Sequence, residues 1–181
     1  MPILGILASS FPAAGGAFES IASASGTGSS TTITFTSIPS TYKHLQIRFM
    51  YYTATAGDNC LMRFNSDTGT NYARHQLHGN GSSATASGAA TQSALRADAN
   101  VTGSLTDRAN VAIIDIQDYA STSNYKTVRL FTGVDNNGSG DVCIASGLWM
   151  SASAITSISL FTLAFNFTTS TVASLYGIKG A

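Results

Sequence analysis

The chain has 181 residues, nine Lys or Arg against nine Asp or Glu, and only 10% charged residues beside 44% hydrophobic ones. The length fits one domain with its own core, and zero net charge excludes the broad basic field that holds duplex nucleic acid or an anionic membrane. With Ser, Thr, Ala and Gly in place of charges, the composition suits a protein that works against other protein surfaces.

Residues 1–16, MPILGILASSFPAAGG, contain Pro2, Pro12 and the Gly15-Gly16 pair. These disfavour both helix and central strand, so an extended N-terminal arm is expected ahead of a single β-sandwich domain over 17–181. No Lys or Arg precedes the short apolar run, which reaches about half the length of a membrane span; neither signal peptide nor span is read here. Ile3, Leu4, Ile6 and Leu7 are costly to leave in water. They are predicted to pack on a neighbouring subunit or a partner protein.

Strand signals then follow one another with no helical period. Phe18 to Ser23 alternates weakly and ends at SGTGSS; Thr31 to Ser37 alternates better and stops at Pro39. The clearest strand is His44 to Thr53, with Leu45, Ile47, Phe49 and Tyr51 on one face and Gln46, Arg48, Met50 and Tyr52 on the other. Cys60 to Phe64 and Tyr72 to His78 are further strands, separated by NSDTGTN and closed by GNGSS. Gly79 to Gln92 has no large apolar residue and reads as the longest loop, a mobile rim. Ser93 to Val101, with Leu105, is a weak strand or strand pair.

From Val111 to Trp149 the runs VAIIDI, YKTVRLF and VCIASGLW form a meander, with QDYASTSN and TGVDNNGSGD as its turns. Its charges, Asp115, Asp118, Lys126, Arg129, Asp135 and Asp141, fall mostly at turns or on a solvent face. Ile155 to Phe161, then Phe165 and Phe167, then Ala173 to Ile178 complete about ten short strands. The pattern predicts an all-β chain, an antiparallel two-layer sandwich with a jelly roll as its leading form.

Candidate chemistry is sparse. Asp135, Asn137, Ser139 and Asp141 place oxygens at alternate positions like a calcium loop, but Ser146 stands where a bidentate Glu is needed, so a hairpin turn is the plainer reading and no metal is expected. His75 and His78, three apart on a strand, point to opposite faces and cannot share a metal without a bulge. Cys60 and Cys143 read as buried thiols, with a disulfide as the alternative. Trp149 reads as a core anchor, with sugar stacking as its alternative, and the seven Tyr residues could line a glycan groove or simply pack. No nucleophile with a base, phosphate loop or zinc motif appears, so neither catalytic residue nor cofactor is assigned.

The segments SIPSTYKHLQIR, RFNSDTGTNYARHQLHGNGSS, DYASTSNYKTVR, SGLWMSASAITSISL and SLYGIKG resemble a family of bacteriophage virion proteins, small structural proteins of heads or tails. The opening MPILGILASS is similar to the N-terminal arms of such proteins, and the likeness runs from Met1 to Gly180. It implies a particle component with a β-sandwich fold and no catalytic residues to carry over, made in the host cytoplasm and housed in the virion. The leading expectation is a capsid decoration or cement subunit that assembles with itself, as a trimer, and with major capsid or other virion proteins. A tail, collar or fibre appendage that binds a host-surface glycan stays open beside it, and a hydrolase is the remote third. Because His44 to Thr53 bears large side chains on both faces, Met50 and Tyr52 are expected near a subunit contact and Gln46 toward the wet edge.

Overall fold

A computed structural model describes residues 16–52, 59–98 and 107–180. The arm residues Ile3, Leu4, Ile6 and Leu7, and the expected strand end near Val101 and Leu105, lie outside these. The described residues form twelve strands: β1 (Phe18–Ser25), β2 (Thr32–Phe35), β3 (His44–Tyr51), β4 (Leu61–Phe64), β5 (Tyr72–Gly79), β6 (Ala84–Gln92), β7 (Leu95–Arg96), β8 (Asn110–Ile116), β9 (Lys126–Asp135), β10 (Gly140–Trp149), β11 (Ile158–Phe161) and β12 (Val172–Ile178). Every ladder is antiparallel.

Eight strands make the large sheet, in the order β1-β12-β3-β8-β9-β10-β5-β6, and four make the small one, β2-β11-β4-β7. The chain is thus a two-layer antiparallel sandwich. A jelly roll distributes eight strands over two Greek keys, and this order of eight plus four does not establish that narrower form. The meander β8-β9-β10 sits in the middle of the large sheet.

Alternation decides what the two layers bury. Leu45, Ile47, Phe49 and Tyr51 of β3, Ala112, Ile114 and Ile116 of β8, and Val128, Leu130 and Val134 of β9 point inward and are buried. They meet Met62 and Phe64 of β4 and Ile158 and Leu160 of β11 in one core cluster. Phe49, Tyr51 and Phe167 pack as an aromatic trio, and Phe64, Tyr72 and Trp149 as a second. Gly147 on β10 lets the sheets approach closely: an added Cβ would lie 2.8 Å from Leu95 Cδ2 on β7.

Two segments depart from the sequence reading. Gly79 to Gln92 is not a loop, since residues 84–92 pair with β5 as β6. Ladder hydrogen bonds come from the backbone and need no apolar side chain, so hydropathy is silent on this strand. Only residues 80–83 form a turn, where Asn80 Oδ1 accepts from the N–H groups of Ser82 and Ser83 at 3.0 and 2.9 Å. The second strand of the meander, β9, also runs on past its expected end, because Thr132 and Val134 are buried and the β9–β10 turn shrinks to 136–139.

Candidate functional site

The inner face of the large sheet is core; its outer face has no layer over it among the described residues. Register places the outward side chains in rows across the strands. One row runs Val172, Met50, Val111, Gly133, Val142, Gly79, Ala84, and the next runs Ser174, Arg48, Ile113, Phe131, Ile144, Leu77, Ala86. Their large members are open to solvent: Val111 is 51% exposed, Phe131 55%, Ile144 60% and Leu77 56%. These side chains form a contiguous apolar band over seven strands, the kind of patch that marks a contact surface.

The third row, Tyr176, Gln46, Asp115, Arg129, Ser146, His75, Gly88, bounds that band with polarity. Arg48 Nε donates to Gln46 Oε1 at 3.2 Å, Gln46 Nε2 donates to Asp115 Oδ1 at 2.9 Å, and Arg129 lies 3.6 Å from Asp115 Oδ2. This ladder ties β3, β8 and β9 together on the outside.

Two shallow depressions are cut into the band. One, of about 460 Å³, lies between Met50, Val111, Ile113, Phe131 and Val172. Gly133 is its floor, because the row that supplies Val and Met to its neighbours supplies no side chain there. The other, of about 560 Å³, lies between Leu77, Ala86 and Ile144, with Arg129 and His75 at its rim.

Of the residues singled out from sequence, Met50 is in the apolar band and 40% exposed. Tyr52, just past the end of β3, is half-buried, with its backbone N–H bonded to Thr171 Oγ1 at 2.9 Å. Gln46 is not at a wet edge: it is buried at 9%, hydrogen-bonded within the ladder and flanked by Arg48 and Tyr176. Lys126 is the exception among the meander's charges, which mostly fall at turns or on a solvent face. It points inward and is fully buried, with Nζ donating to the Asn124 carbonyl at 2.6 Å, and burial holds its ammonium below the usual lysine range.

Asp135 to Asp141 spans the β9–β10 hairpin, whose turn at 136–139 is closed by Asn136 N–H to the Ser139 carbonyl at 2.8 Å and by Asn137 N–H to Asp135 Oδ1 at 2.7 Å. His75 and His78 do face opposite ways, His75 outward and exposed, His78 inward beside Asp141. Trp149 is buried in the core and its Nε1 donates to Asp67 Oδ2 at 2.8 Å. Tyr51, Tyr72 and Tyr119 are buried as well, while Tyr125 is 58% exposed and stands in a turn. Among the described residues no group of three or more His, Cys, Asp or Glu is placed to hold a metal ion.

The interior holds two ionisable groupings. Asp98 accepts from Arg96 Nε at 2.9 Å, Cys60 N–H at 2.8 Å and the Tyr51 hydroxyl at 3.3 Å. Burial pushes its carboxyl above the usual range, against the pull of Arg96. On the inner side of β5 and β10, His78 Nε2 lies 2.5 Å from Asp141 Oδ1, and Cys143 is the cross-strand partner of His78. The residue types are those of a cysteine nucleophile with an oriented base. Yet Cys143 is buried, and burial pushes its thiol up, away from the thiolate that such chemistry needs. Cys60 is buried too, and no disulfide joins the pair.

The outward residues Val111, Ile113, Phe131, Val142, Ile144 and Leu77 were not among the sequence-derived candidates. Their signal was present: VAIIDI and VCIASGLW are apolar at consecutive positions, which in a half-covered antiparallel sheet puts apolar side chains on both faces. No family model, no curated protein and no solved structure matches the chain.

Proposed function

We propose that the chain is a structural subunit of a bacteriophage particle, a decoration or cement protein that fastens to capsid or other virion proteins by the outer face of its large sheet. The observation that carries this reading is the uncovered apolar band around Met50, Ile113, Phe131 and Ile144. Removing such area from water yields roughly 25 cal/mol per Å², and repetition over symmetry-related copies multiplies a modest contact. The polar ladder at Asp115 and Arg129 gives the contact a direction, because a partner must match an apolar strip beside a charged one. The likeness of the segments quoted above to virion proteins supplies the particle.

Glycan recognition by a tail appendage has weaker support, since Trp149, Tyr51, Tyr72 and Tyr119 are committed to the core. The test is mass spectrometry with copy counting on purified particles. Many copies in proportion to the shell protein support decoration, a few copies point to tail or neck, and absence from the particle defeats the proposal.

A further inference from the structure

The two edges of the large sheet are built differently. At one edge β1 has a bulge between Ser20 and Ala22, carries Glu19 bonded to Lys179, and lies beside β2 of the small sheet. These are the devices by which proteins block strand addition. At the other edge is β6, ATASGAATQ, with no charge, no Pro and no side chain larger than Gln. Among the described residues the small sheet ends at β7, which lies by β5, so β6 projects beyond the described part of the layer beneath it.

All nine residues of β6 are exposed or half-exposed, on both faces. Ordering a backbone costs about 1–2 kcal/mol per residue, and β6 buries almost nothing to offset it. Its ladder to β5 is the one strand pairing it makes among the described residues. The regular stretch is 84–89. Beyond it Thr91 has φ of 54°, and the Ala90 carbonyl accepts from Gln92 Nε2 at 2.8 Å, which closes that end of the edge.

We infer that β6 pairs edge to edge with β6 of a second copy of this chain, antiparallel about a two-fold axis near Ser87. Two-fold pairing requires a residue to meet its own copy, and only such registers keep outward side chains opposite outward ones. Centred on Ser87, the pairing sets Ala86 against Gly88 and Thr85 against Ala89, so small uncharged side chains meet small uncharged side chains throughout. The axis stands perpendicular to the sheet, which turns both outer faces to the same side. Ala86, Leu77 and Ile144 of the two copies then flank the axis, and the two apolar bands join into one surface. This pairing stands independently of the particle role, and it yields even numbers of copies; a trimer would have to use other surfaces.

Sedimentation at micromolar concentration, with amide hydrogen exchange over 84–89, tests the pairing. The wild-type chain is expected to sediment as a dimer with those amides protected. Ser87→Lys, which sets two ammonium groups across the axis, is expected to sediment as a folded monomer that still unfolds cooperatively, with a melt no longer dependent on concentration and with protection over 84–89 lowered about tenfold or more. Ser87→Cys under mild oxidant should give a covalent dimer, while Thr127→Cys, exposed on the outer face away from β6, should not. A wild-type monomer whose 84–89 amides exchange as an open edge overturns the inference, as does an oligomer whose mass persists in Ser87→Lys. If that variant does not fold, wild-type exchange and the Ser87→Cys cross-link decide. Phe131→Glu leaves the dimer intact on this account, so loss of pairing and loss of particle binding are separable.

Discussion

Ile113 and Phe131 stand directly opposite each other on adjacent central strands and are 40% and 55% exposed. Their sequence neighbours Ile114 and Leu130, also cross-strand partners, are buried in the core at 0% and 4%. The same two strands thus carry one apolar pair that holds the sandwich together and one that faces away from it. On the proposed function, stability and partner binding fall on opposite faces.

That separation is measurable. Ile114→Ala is expected to cost about 2–5 kcal/mol, the transfer term plus a cavity. Phe131→Glu should move stability by about 0.5 kcal/mol or less, since the site is open in the isolated chain. Thermal or urea melts of the two variants check this, and equal losses would mean that the outer pair is core.

Asp67 is the polar anchor of the Trp149 cluster. The Trp149 indole N–H, then Asn71 and the Gly69 backbone, hold its carboxyl below the usual range. A carboxylate depressed on folding contributes stability that is present above its unfolded value, about 3.9, and is lost as pH falls through the lower folded value. Asp67→Asn should therefore lose about 1–3 kcal/mol at neutral pH and show a shallower loss of stability below about pH 4. Parallel melts from pH 7 to pH 2 of wild type and variant give the comparison.

Asp98 works through different physics. Its carboxyl is pushed up by burial, so the charged form is sustained by Arg96, Tyr51 and the Cys60 N–H rather than by water. Asp98→Ala removes the acceptor these donors share, and is expected to destabilise by about 3–5 kcal/mol, as breaking a buried pair does. Urea unfolding measures it. A loss below about 1 kcal/mol would show that water reaches the site and that the pair behaves as a surface one.

How much of this was legible in the residues follows from what alternation can carry. His44 to Tyr51 and Lys126 to Asp135 announce their strands because one face is buried and the other is not. β6 is hidden, because Ala, Thr, Ser and Gly on two open faces give no period at all. Lys126 shows the limit of reading charge as exposure, since backbone carbonyls can satisfy a buried ammonium. Gln46 was placed at a wet edge because hydropathy cannot show that Arg48 and Asp115 would close around it. The outer band was legible only as a surplus: apolar residues at consecutive positions in VAIIDI said that two faces were apolar, and nothing in the chain named a second layer to cover them.

The central claim is that the outer face of the large sheet is the surface that binds the particle. Its most direct test supplies wild-type chain or the Phe131→Glu, Ile113→Glu double variant to particles lacking the protein, and counts copies on the purified particles. The account predicts a variant that melts like wild type and is absent from particles. Incorporation of the double variant at wild-type copy number would contradict it.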